Sequence, residues 1–261
     1  MTAPKLGSGK PGHVEPELYG AFDFTRKIPP PSGEYHWVYL WERPLRVMHW
    51  LAAGSLVVLA ATGFYIGKPY FATTGDTSSH FMMGWARFLH FAAAAVLVMT
   101  GLVRAYWLFM GNRFERLPAL FPVRRRDWKN LFRMIKFYLM IKPEEAPRYL
   151  GHNPLQQFSY TGVYILALIS AATGFALYGQ SNPGGFFYSG TIWLVNLMGG
   201  LQLVRFVHHV ATWGYLIFIP IHIYLAVRAD HIERTGVISS IISGGRFVPA
   251  DEHFEDGEPH D

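Results

Sequence analysis

Five histidines, His49, His90, His208, His209 and His222, stand inside long apolar stretches of the sequence. An ionisable side chain in such a setting is costly, and where one persists it usually does chemistry. The chain has no Cys, which excludes a disulfide framework, a thiolate-held iron–sulfur cluster, covalent c-type haem attachment and a cysteine-ligated nickel site. Any metal must then be held by His or carboxylate. Two neutral imidazoles facing each other from two helices can hold a haem iron between them. Such ligands must pair at equal depth.

The spacing permits two pairs. His49 lies one turn inside the start of the first apolar segment, and His222 lies in the matching half of the fourth, which runs the other way. His90 lies about one turn inside the second segment, level with His208 at the start of the fourth. From His208 to His222 is about 21 Å of helix rise and only about 40° short of whole turns. One face of that helix can therefore offer a ligand to each of two stacked haems. His209 is the rival to His208, but it sits about 100° round the helix and about 140° from His222.

Arg46, Arg87 and Arg205 each stand three residues before one of these histidines, a spacing that puts both side chains on one helix face. Arg104 follows His90 on the same face of the second segment. Haem carries two propionates, and arginine binds carboxylates well. Terminal arginines also snorkel to lipid headgroups, which remains the alternative for Arg46 and Arg87.

Four apolar segments, at about Leu45–Ile66, Ala86–Met110, Gln157–Tyr178 and Val204–Val227, carry these side chains. Each is long enough to cross a hydrocarbon layer about 30 Å thick at about 1.5 Å per residue. Composition agrees: 51% of residues are hydrophobic, and aromatic and charged residues each make up only 16%. A net charge of +5 would suit nucleic acid, but its placement argues otherwise. Arg113, Arg116, Arg124, Arg125, Arg126, Lys129, Arg133, Lys136, Lys142 and Arg148 fall between the second and third segments, whereas Gln180–Gln202 has no Lys or Arg. By the positive-inside rule both termini and the central loop are cytoplasmic, and the partner surface is a lipid bilayer rather than nucleic acid. Within that loop, Arg126–Lys142 interleaves aromatic and basic residues as an interfacial helix or one packed on the bundle would.

The expected fold is all-α, an integral membrane four-helix transmembrane bundle with haem b between helices. Residues 1–42 read as an irregular cytoplasmic arm rich in Pro and Gly, 43–230 as the four-span domain with its basic loop at about 111–156, and 231–261 as a cytoplasmic tail. Ala61-Thr62-Gly63-Phe64 recurs as Ala172-Thr173-Gly174-Phe175, a match short enough for chance or shared helix-end packing.

Arg46-Val47-Met48-His49-Trp50-Leu51, ending at Thr62-Gly63, resembles the first signature of nickel–iron hydrogenase b-type cytochrome subunits, and Arg205 to His222 with Trp213 resembles the second. Ile66-Gly67-Lys68-Pro69, Gly111-Asn112-Arg113 and Gly151-His152-Asn153-Pro154-Leu155 also match that family's habit. The resemblance covers about Tyr39 to Gly245. It implies a multi-pass subunit of the bacterial inner membrane that anchors the small and large subunits of a periplasmic [NiFe] hydrogenase and passes their electrons to a membrane quinone. No hydrogen-activating site would lie in this chain. It also implies two haems b, one held by His90 and His208 and one by His49 and His222. Formate dehydrogenase cytochrome subunits share the layout and supply the alternative donor. A transporter would show broken spans or midplane polar residues, and a bare structural anchor would not need the paired histidines.

Near the cytoplasmic start of the third segment, His152 could relay a proton and Asn153 could hydrogen-bond a quinone carbonyl. Asn153 is equally apt as a helix N-cap, with Pro154 at the first helical position.

Overall fold

The computed structural model describes residues 34–71, 81–122, 125–138, 148–250 and 253–256. Residues 1–33 of the expected arm, Arg124 and Lys142 of the basic loop and the end of the tail lie outside them, as does the side chain of Arg126. The described residues open with a short strand, β1 (Tyr35–Tyr39), and continue through α1 (Arg43–Gly67) and α2 (Met82–Met110). Then come α3 (Leu117–Leu120), α4 (Arg125–Tyr138), α5 (Pro154–Gly179), α6 (Phe186–Leu197), α7 (Leu201–Glu233), α8 (Val237–Ser243) and β2 (Gly245–Pro249).

Helices α1, α2, α5 and α7 are long and apolar enough to cross a membrane. They overlie the four expected segments and extend each of them. Large apolar side chains such as Val57, Phe109, Leu168 and Ile217 point outward, the inverse of a soluble core, because lipid tails solvate them as well as protein does. Pro154 opens α5, where its missing N–H costs nothing, and Asn153 closes a reciprocal capping box with Gln156. Helix α7 runs on through Pro220, which forgoes one backbone bond to the carbonyl a turn earlier.

Backbone approach is close between α1 and α2 and between α5 and α7, and sparse between these two pairs. The membrane domain is thus two helix pairs set side by side. Helix α6 packs on α5 at the end of the bundle where α7 begins. The segment holding it, Gln180–Gln202, was expected only as a loop between spans.

The other end, where α1 begins, carries a cap that the sequence reading did not foresee. β1 pairs antiparallel with β2, Val38 opposite Arg246, so part of the stretch 1–42 expected to be irregular is a strand. Val38, Leu40, Trp41, Phe114, Leu150, Val248 and Phe254 form one buried cluster beneath it. Buried Arg246 ties the tail down, donating to Glu233 at 2.6 Å and to the carbonyls of Tyr149 and Leu150 at 2.6 and 2.8 Å. Asp256 accepts from the backbone N–H groups of Leu150 and Gly151. The described part of the tail is therefore part of the folded body. Its strand partner lies some two hundred residues away in sequence, and a five-residue strand carries almost no local signal. Helix α4 packs on α5, with Leu131 and Met134 buried and Phe132 facing outward.

Candidate functional site

The histidines meet in two facing pairs. His90 on α2 faces His208 on α7 with ring centroids 6.5 Å apart, and His49 on α1 faces His222 on α7 at 6.3 Å. In each case one imidazole comes from the α1/α2 pair and the other from the α5/α7 pair. The separation suits one iron between two rings: metal–nitrogen bonds of about 2 Å and about 1.2 Å from nitrogen to ring centre give about 6.4 Å in all. Direct packing or a hydrogen bond between the rings would bring the centroids closer. The sparse backbone approach between the two helix pairs leaves the histidines to span the interval.

The rings at the Gly67 end are held from behind. The Thr62 hydroxyl lies 3.0 Å from Nδ1 of His90, and the Thr173 hydroxyl lies 2.9 Å from Nδ1 of His208. The glycine after each threonine lets the ring come close, since a Cβ on Gly63 or Gly174 would stand 3.2 Å from Cε1 of His90 or His208. The short repeat seen in the sequence thus does the same job on two helices. At the other end Nδ1 of His49 is buried with no hydrogen-bond partner among the described residues, and His222 is stacked on Phe218 at 5.4 Å.

His209 joins neither pair. It packs beside Phe64 and Trp213, with the indole N–H of Trp213 reaching its Nε2 at 3.2 Å. The arginines are placed unequally. Arg87 and Arg205 are exposed near the His90/His208 end. Arg46 donates to the carbonyl of Ile242 in α8. Arg104 is buried, with Nε donating to Tyr164 on α5 at 3.1 Å and one terminal nitrogen to the backbone of Glu115 at 3.1 Å. Its other terminal nitrogen is buried without a partner among the described residues, an unused donor inside the bundle.

The family model for prokaryotic cytochrome b561 matches residues 40–244. This chain belongs to the prokaryotic cytochrome b561 family. A probable Ni/Fe-hydrogenase B-type cytochrome subunit of Azotobacter chroococcum mcd 1 is 39% identical over 218 residues, 82% of this chain and 90% of that relative. The corresponding Cupriavidus necator protein is 36% identical over 80% of this chain and 86% of its own length. The probable Ni/Fe-hydrogenase 1 B-type cytochrome subunit of Escherichia coli K12 is 32% identical over 80% of this chain and 90% of its own length. As a cytochrome b561 the chain is a multi-pass electron-transfer protein, and the family's group is haem b. That group needs no covalent thioether attachment, which agrees with the absence of Cys and with facing imidazoles.

At the α1-start end this cytochrome b561 also buries a polar cluster that sequence reasoning saw only in part. His152 packs between Trp41 and Tyr160, with ring centroids at 4.7 and 4.8 Å. Burial, helped by the nearby Arg104 charge and opposed by a hydrogen bond to the Phe114 backbone, pushes its imidazole down to about 3. It is neutral at physiological pH. Its neighbour Asn153 accepts from the N–H of Gln156 as the α5 cap. Glu115 was missed altogether. Although fully buried, it accepts from the backbone of Glu42 at 2.6 Å and the indole of Trp107 at 2.7 Å, while burial pushes its carboxyl up. Its place in a loop of the basic segment hid it, because a lone Glu among arginines reads as surface charge.

Proposed function

We propose that His90 with His208, and His49 with His222, would each hold one haem b between their imidazoles, two haems in all. With haem held there, the chain would carry electrons from the small and large subunits of a [NiFe] hydrogenase on the periplasmic side to a membrane quinone on the cytoplasmic side. The observation that carries this is the placing of two facing imidazole pairs, one near each end of the bundle, with α7 contributing to both. Bound there, haem supplies one-electron chemistry.

The chain's own residues supply the rest. Sidedness follows from charge: Arg113, Arg116, Arg125, Lys129, Arg133, Lys136 and Arg148 all lie in the segment joining α2 to α5, at the α1-start end, which the positive-inside rule makes cytoplasmic. The opposite end, where the α6 segment Gln180–Gln202 has no Lys or Arg, is then the periplasmic face on which the donor docks. The names of the relatives support a hydrogenase as that donor. Hydrogen activation belongs to the partner subunits, since a chain without Cys holds no thiolate-ligated nickel.

Arg104 offers its buried unused nitrogen to a haem carboxylate, and Arg46, Arg87 and Arg205 stand one turn from the ligands at the two faces. His152, neutral, with Asn153 beside it, borders the quinone region at the cytoplasmic end. There the neutral imidazole could relay a proton as the quinone is reduced, taking one at one ring nitrogen while giving one from the other.

The test is a redox titration of the purified complex with its hydrogenase subunits. Two b-type haems per chain, both reduced on adding hydrogen and reoxidised by a quinone analogue, are expected. One haem per chain, or haems that stay oxidised under hydrogen, would overturn the reading.

A further inference from the structure

Resting on the reading that His90 and His208 hold haem, we propose that Thr62-Gly63 and Thr173-Gly174 are a duplicated positioning device. It locks both imidazoles of the periplasmic pair in one tautomer and one orientation, with Nε2 turned toward the iron. Thr62 donates its hydroxyl to the carbonyl of Val58 at 2.6 Å, and Thr173 donates to the carbonyl of Ile169 at 2.6 Å. A hydroxyl has one proton to give. With that proton on the helix carbonyl, each oxygen can only accept, so Nδ1 of His90 and of His208 must each carry the hydrogen that bridges the 3.0 and 2.9 Å contacts. Nε2 is then left with its lone pair, the form that binds iron.

The glycines complete the device. Each ring has a threonine hydroxyl at Nδ1 and a glycine beside Cε1, where a Cβ would stand at 3.2 Å and crowd it. One copy sits on α1 and acts on α2, and the other sits on α5 and acts on α7. Each helix pair therefore orients its own ligand.

This arrangement is confined to one haem, because His49 Nδ1 has no such hydroxyl among the described residues. An N–H that donates to an acceptor makes its imidazole more electron-rich and a stronger ligand, and such outer partners are typically worth about 10- to 100-fold in metal affinity. A more electron-rich ligand also favours the ferric state, so the two threonines lower the midpoint potential of the haem they serve.

The experiment uses the purified complex carrying Thr62→Val, Thr173→Val or both, with Thr62→Ser and Thr173→Ser as conservative partners and His90→Ala as the control for the underlying reading. Haem retention on dilution and the midpoints of both haems are measured. Valine should weaken retention of the His90/His208 haem about 10- to 100-fold and raise its midpoint, leave the His49/His222 haem as it was, and be rescued by serine. The untouched haem also reports that the bundle has folded. If valine at 62 prevents assembly, Thr173→Val poses the same question on the other helix pair. Parent-like retention and midpoint in the valine variants, or equal shifts in both haems, would overturn the proposal. Survival of both haems in His90→Ala would instead remove the haem reading beneath it.

Discussion

Trp213 donates its indole N–H to Nε2 of His209 across one turn of α7, at 3.2 Å. That contact occupies the nitrogen a ligand would need and keeps the ring beside Phe64, away from His90. His208, one residue earlier, faces His90 instead. His208→Ala and His90→Ala are each expected to remove the same haem, because an axial pair fails when either imidazole is lost. His209→Ala should keep the full haem complement. Haem quantitation by pyridine haemochrome on the three variants checks this, and loss in the His209 variant with retention in the His208 variant would reverse the assignment.

Arg104 lies fourteen residues after His90, and its buried guanidinium has one nitrogen to spare. A positive charge favours the reduced haem, which carries one more electron. At an effective dielectric of about 20, a unit charge about 8 Å away contributes on the order of 2 kcal/mol. Arg104→Leu should therefore lower the midpoint of the cytoplasmic-side haem. Arg104→Lys, which keeps the charge but loses the fork to Tyr164 and Glu115, should keep most of the midpoint while lowering thermal stability. A redox titration in which the leucine variant matches the parent would place the guanidinium's charge out of reach of that haem.

His152 makes a prediction about pH. Above about pH 6.5 its imidazole is neutral in both the folded and the unfolded chain and contributes nothing to pH dependence. As pH falls further, the unfolded chain takes up a proton that the folded one refuses until about pH 3. Stability should drop through that window, by on the order of 2 kcal/mol at pH 5. His152→Gln keeps a donor for the Phe114 carbonyl and cannot titrate. Thermal unfolding in detergent at pH 7 and pH 5 should show a smaller loss for the glutamine variant, and equal losses in both proteins would mean that His152 is protonated in the fold.

What the sequence made legible was the part governed by period and depth. Four apolar runs announce four spanning helices, and the fourteen-residue step from His208 to His222 announces a helix with two ligands on one face. Thr62 and Thr173 were visible as a repeat, but their role was not, because it depends on which ring each hydroxyl meets across a helix pair. β1 and β2, Arg246 and Glu115 were hidden for a related reason. Each is explained by a partner distant in sequence, and in a charged, proline-rich stretch local pattern reads as loop whether or not such a partner exists.

If the donor docks at the periplasmic end, electrons enter at the His90/His208 pair and must leave through the His49/His222 pair, since the two share α7 but stand about 21 Å apart along it. His49 is the ligand to remove, because it belongs to the exit pair alone and its helix does not carry His90 or His208. With His49→Ala, hydrogen should still reduce the periplasmic-side haem while hydrogen-dependent quinone reduction is abolished. Both haems can be followed optically after hydrogen is added to the purified complex, with quinone consumption measured in parallel. A variant that lacks the cytoplasmic-side haem yet reduces quinone at the parent rate would mean that quinone takes electrons directly from the His90/His208 haem, and the route through the membrane would have to be given up.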